Sequence, residues 1–146
     1  MWRVRILHGP NVNYIGQGRE PEWYGTESWP AFFARLEAKY ADQVALVYLE
    51  SPYEGKLIEW VWETDKYDGL ILNPGALAHY SYALYDALRG VSKPAIEVHV
   101  SQLYQREAFR GQLVTAGACR GVVVGLGLFG YELALLGLLH LLAKEP

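Results

Sequence analysis

The side chains of this 146-residue chain that are best suited to chemistry gather in three short stretches. His8, Asn11, Asn13, Arg19 and Tyr24 follow the apolar run Val4 to Leu7, and Asn73 and His79 follow Gly69 to Leu72. Glu97 and His99 sit within Ala95 to Val100, with Ser101 just after and Arg106 and Arg110 beyond. Glu97, His99 and Ser101 are spaced two apart, so an extended chain projects all three from one face while Ile96, Val98 and Val100 pack on the other. Side chains of these types exchange protons and hold polar groups. Taken singly, each also has a plainer role. Asn11 in HGPN and Asn73 in NPG are ordinary turn residues. Arg106 and Arg110 have the spacing of a solvated helical face, and Arg19 can brace a loop against Glu20 or Glu22. What singles them out is their convergence on the ends of strands.

Other chemistries fit less well. No GxGxxG follows the first strand and no GxxxxGK[ST] occurs, so a phosphate cradle is not indicated; GLGLFG follows the last strand. His8, His79 and His99 lack zinc-ligand spacing. Ser101 has no nucleophile-elbow sequence, and Cys119 has no electropositive neighbour beyond Arg120.

The elements that must position these residues alternate. Val4 to Leu7 reads as strand one. Thr26 or Ser28 offers an N-cap, with Pro30 in the first turn, for a helix reaching Tyr40. Strand two is Val44 to Leu49, and Glu54 to Asp65 places Leu57, Ile58 and Val61 at helical spacing. Strand three, Gly69 to Leu72, leads to a helix from Ser81 to Arg89, then strand four at Ala95 to Val100 and strand five at Val122 to Val124. Gln102 to Ala118 is the least helix-like connection. Such alternation predicts an α/β fold, a flavodoxin-like, doubly wound, five-stranded parallel sheet of order 2-1-3-4-5, in one domain over residues 1–146. Ligands of such sheets bind beyond the carboxyl ends of the strands, where the polar residues fall.

Composition sets the outer bounds. The chain is 51% hydrophobic and 14% aromatic with a formal net charge of -3, which excludes disorder and argues against a nucleic-acid or polybasic membrane surface. One cysteine and an N-terminus without a signal layout predict the cytoplasm. Between Gly121 and Ala143 the only charged side chain is Glu132, yet β-branched GVVVG, a run of glycines and YELALLGLLHLLAK parse better as strand, turn and helix than as a membrane span.

GPNVN, REPEWYG, NPGALAHYSYALYDAL, and IEVHVS with REAFR, followed by GYELAL, stand in one order from the first strand to the last helix. In these motifs the sequence resembles the type II 3-dehydroquinate dehydratases of the shikimate pathway. The resemblance implies cofactor-free, metal-free dehydration of 3-dehydroquinate to 3-dehydroshikimate, and a homo-oligomer, a dodecamer built from trimers. It implies that Tyr24 is the catalytic base with Arg19 beside it, that Asn11 helps hold the enolate, and that His99 is the general acid oriented by Glu97. It implies substrate-binding roles for Asn73, His79, Ser101 and Arg110, a loop-bracing role for Arg106, and for Asp86 a reach into a neighbouring subunit's site.

Those roles are chemically coherent. An unperturbed tyrosine ionises near ~10, and a guanidinium nearby favours the phenolate. An asparagine amide can donate toward a developing oxyanion, and a protonated imidazole can give its proton to a departing hydroxyl. The sequence departs from the family pattern in loops: His8 stands where Asn is usual, Asn11 to Arg19 is one residue longer, Pro52 replaces Asn, Leu77-Ala78 lacks a usual Thr, Tyr85 stands where Arg is common, and Gln102 to Gln105 differs. The longer loop and the altered segment after Ser101 motivate a second reading, a catalytically weak paralogue kept as a binding or assembly protein.

Overall fold

Alternating side chains give the first strand two buried faces. In the computed structural model, which describes residues 1–18 and 20–144, β1 (Trp2–His8) sends Val4 and Ile6 into one core and Leu7 into another on the opposite face. It pairs in parallel with β2 (Val44–Glu50) and β3 (Gly69–Asn73); β3 pairs with β4 (Ala95–His99), and β4 with β5 (Gly121–Val124). The resulting order, β2-β1-β3-β4-β5, is the doubly wound, flavodoxin-like one that the sequence predicts.

A single turn, α1 (Pro21–Tyr24), is not foreshadowed by any periodicity because it is too short to show one. α2 (Trp29–Lys39) begins where the Ser28 hydroxyl accepts the Ala31 N–H at 3.3 Å and Pro30 fills the first turn. α3 (Glu54–Trp62) precedes β3, and α4 (Tyr82–Gly90) begins at Ser81, whose hydroxyl accepts the Leu84 N–H at 3.0 Å and donates to Glu54 of α3. α5 (Phe129–Lys144) closes the chain. Phe32, Leu36, Leu135 and Leu138 of α2 and α5 pack on Val4, Ile6, Ile71, Ile96 and Val98. Leu57, Val61, Leu84 and Leu88 of α3 and α4 pack on Leu7, Leu70 and Leu72 across the sheet.

The apolar tail is a strand, a glycine turn and a helix of 16 residues, and no helix among the described residues is long and apolar enough to cross a membrane. The connection from β4 to β5 carries three short 3-10 turns, Leu103–Gln105, Ala108–Gly111 and Thr115–Ala118. Arg106 and Arg110 therefore do not share a helical face.

The strands end together. His8 stands opposite both Glu50 and Asn73 in register, so β1, β2 and β3 release their loops along one edge. There the loops after β1 and β3 run back to back: the Gly9 N–H donates to the Asn73 carbonyl at 2.9 Å, and a Cβ on Gly9 would lie 2.3 Å from the Pro74 oxygen. Only glycine allows that approach.

Candidate active site

At this edge a cavity of about 120 Å³ gathers most of the residues singled out from the sequence. Asn11 enters it from the loop after β1 with a left-handed backbone, φ 67°, a conformation asparagine tolerates better than most residues. Tyr24 comes from α1, Asn73 from the end of β3, and His79 from the 3-10 turn Gly75–His79. His99 ends β4, and Ser101, Arg106 and Arg110 follow it into the same space. Glu97 lies behind His99 rather than on the wall. Asp86 is exposed on α4 and does not line the cavity of its own chain. Arg19 lies outside the described residues. Asn13 lines a second cavity, with Glu50 and Ser51, that shares Pro10 and Asn11 with the first.

Hydrogen bonds fix which atom of each side chain is available. Glu97 Oε2 lies 2.7 Å from His99 Nε2, so the carboxylate holds the proton on Nε2 and leaves Nδ1 as the nitrogen that a second proton would occupy. His79 Nδ1 lies 2.8 Å from the Gln112 carbonyl, which can only accept; Nδ1 therefore carries the proton and Nε2 is left as an acceptor. Burial holds the His79 imidazole below its ordinary titration range, and the charges of His99 and Arg110 push the same way. Asn73 is held at both ends of its amide: Nδ2 donates to the Tyr131 hydroxyl at 2.8 Å, and Oδ1 accepts the Gly75 N–H at 3.2 Å.

The guanidinium of Arg106, only 5% exposed, joins the two halves of the site. Its Nη1 donates to the Tyr24 hydroxyl at 2.7 Å and to Ser101 Oγ at 3.0 Å, and its Nη2 donates to Glu20 at 3.2 Å. A guanidinium in that position stabilises negative charge on the phenol oxygen. The cavity thus sets a tyrosine oxygen backed by a cation against an imidazole backed by a carboxylate.

The sequence matches the family described as Dehydroquinase class II over residues 2–139. The chain belongs to that family. It is 48% identical over 135 residues to a 3-dehydroquinate dehydratase of Thermus thermophilus, covering 90% of each chain. It is 47% identical over 133 residues to one of Deinococcus radiodurans, covering 89% of this chain and 92% of the relative. Among solved structures, a type II dehydroquinase from Butyrivibrio crossotus superposes with a TM-score of 0.89 at 37% identity, covering 94% of this chain and 97% of that one.

Within this dehydroquinase fold, Tyr131 and Thr115 escaped the sequence reading, and Arg106, expected to brace a loop, does more than that. Arg106 contacts Tyr24 directly, although its spacing from Arg110 resembles a solvated face. Tyr131 holds Asn73, and Thr115 donates to Glu97 Oε1. The partners of Tyr131 and Thr115 stand 58 and 18 residues away, so no local pattern reports them. His8, counted among the polar residues after strand one, does not reach the cavity. It is fully buried among Trp29, Tyr48 and Tyr131, with Nδ1 3.1 Å from the Tyr48 hydroxyl, and burial pulls its titration down to about 3.

Proposed function

We propose that this chain is a 3-dehydroquinate dehydratase, a hydro-lyase that converts 3-dehydroquinate to 3-dehydroshikimate through an enolate, in the shikimate route toward aromatic amino acids. The observation that carries the reading is the pairing of Tyr24 with Arg106 and of His99 with Glu97 around one cavity. In the proposed reaction the Tyr24 phenolate, favoured by Arg106 and Arg19, takes a proton from the carbon beside the ketone. The electron pair moves onto the carbonyl oxygen, where the Asn11 amide supports the enolate. The enolate then re-forms the ketone as the β-hydroxyl departs, and His99 Nδ1 delivers the proton that makes it water. Asn73, His79, Ser101 and Arg110 hold the hydroxyls and carboxylate of the substrate, so the steps require no cofactor or metal. Asn11, Tyr24 and His99 share one cavity, with Glu97 paired to His99 behind it, which favours an enzyme over a weak binding or assembly paralogue.

Three further assignments belong to the same proposal. Residues 1–146 act as one catalytic domain, a cytoplasmic setting fits its lone, half-buried cysteine, and the working form is a homo-oligomer, a dodecamer, in which Asp86 serves a neighbour's site.

The test is direct. Purified protein in the presence of a chelator should convert 3-dehydroquinate to the conjugated enone, followed by ultraviolet absorbance. Tyr24→Phe should lose nearly all of that turnover while still folding and binding substrate. An inactive parent overturns the proposal.

A further inference from the structure

On β4 the even positions Ile96 and Val98 fill the core under α2 and α5, so Glu97 and His99 turn to the other face of the sheet. Glu97 is wholly buried there, with Leu72 of β3 and Val122 of β5 flanking it in register. A buried carboxylate is tolerated only when its oxygens are occupied by donors. One oxygen is taken by His99 Nε2, and no Lys or Arg among the described residues forms an ion pair with Glu97. The other oxygen accepts from the hydroxyl of Thr115, itself fully buried, at the start of the 3-10 turn Thr115–Ala118.

That turn is itself anchored to the site. The Val114 N–H donates to the Ala78 carbonyl at 2.7 Å, tying the segment to the turn that carries His79, and the Cys119 thiol donates back to the Thr115 carbonyl at 3.6 Å. Threonine is stiff at χ1, so a fixed turn fixes the hydroxyl.

The geometry points to Thr115 as a positioning residue of the general acid: its hydroxyl holds the Glu97 carboxylate in the plane that directs His99 Nδ1 into the cavity. This rests on the dehydratase reading for what the acid does, but not for how it is held. Two effects follow when the hydroxyl is removed. The carboxylate is free to turn about its last torsion, which loosens the imidazole. It also becomes a stronger acceptor, because one of its two donors is gone, so the Glu97–His99 pair keeps its proton to higher pH. The other titratable or charged groups facing the pair are His79, its ring 6.1 Å from that of His99, Arg110 from the following turn, and Cys119, whose thiol burial and the Glu97 charge push up. None of them can replace a donor on Glu97 Oε1 without moving.

Thr115→Val keeps the volume and removes the hydroxyl, whereas Thr115→Ser keeps the hydroxyl and removes the methyl. In valine, kcat should fall about tenfold with KM unchanged, and the alkaline limb of kcat/KM should move to higher pH. Serine should restore both to near the parent. A threonine that merely packs would leave the alkaline limb in place, and equal losses in valine and serine would mark the methyl as the important group; either result overturns the inference. Should valine not fold, Thr115→Ala takes its place. Nitrogen-15 NMR of the His99 ring separates this inference from the function itself. Even in an inactive parent, the Nε2–H signal should be held in the parent and serine proteins and shifted in valine, and an unshifted signal overturns it.

Discussion

Arg106 shows how one side chain can be read wrongly from spacing and rightly from contacts. Four residues before Arg110, it fits a solvated helical face. In the fold it is buried and bridges Tyr24, Ser101 and Glu20, and Tyr24 is 82 residues away in sequence. A planar guanidinium can serve three acceptors in fixed directions, and an ammonium cannot reproduce that fork. Arg106→Lys should therefore lower kcat by about ten- to a hundredfold even though the charge is kept, as steady-state assay on 3-dehydroquinate would show. A variant with parental kcat would mean that the charge alone matters. The types of the site residues were legible in the sequence, since Asn11, Tyr24, Asn73, His79, His99, Ser101 and Arg110 all line one cavity. Thr115, Tyr131 and the contact of Arg106 with Tyr24 were not, because they depend on contacts that only the folded chain creates.

At the scale of elements, strands and long helices were legible because burial imposes a period on them. α1 was not, and neither were the 3-10 turns between β4 and β5, which are held by single backbone bonds and by side chains packed from elsewhere. The end of β1 has a further consequence for stability. His8 is carried there into an aromatic cluster built by α2, β2 and α5, where its ring stays neutral down to about pH 3. In the unfolded chain the same ring binds a proton near ~6.5. Between those values the unfolded state holds more protons than the folded one, so this contribution is complete above pH 6.5 and is lost as pH falls toward 3. At pH 5 the loss amounts to about 2 kcal/mol. Denaturant midpoints should therefore drop from pH 7 to pH 5, and drop less in His8→Asn, which has no proton to gain. Parallel pH dependences in the two proteins would show that His8 is not the group responsible.

At the scale of the whole molecule, the placement of Asp86 and of the apolar surface point the same way. Asp86 stands on the exposed side of α4, away from its own cavity. Tyr82 beside it is 72% exposed, and Leu126, Phe129 and Leu136 lie exposed around α5. A family member whose site is finished by a neighbour needs such a residue outside its own cavity and apolar surface to hold the neighbour. If Asp86 acts across the interface, the two defects Tyr24→Phe and Asp86→Asn lie in different halves of a site. Each variant alone should be nearly inactive or at least tenfold impaired in kcat/KM. Co-expressed in equal amounts, they assemble sites at random, and a site that draws Tyr24 from one variant and Asp86 from the other is intact. About one site in four meets that condition in a closed symmetric assembly, so the hybrid should recover roughly a quarter of parental activity. Light scattering should show the hybrid at the parental mass, a multiple of the 16.5 kDa chain. Recovery no greater than the average of the two variants, or a monomeric mass, would confine Asp86 to its own subunit and leave the exposed apolar side chains without this explanation.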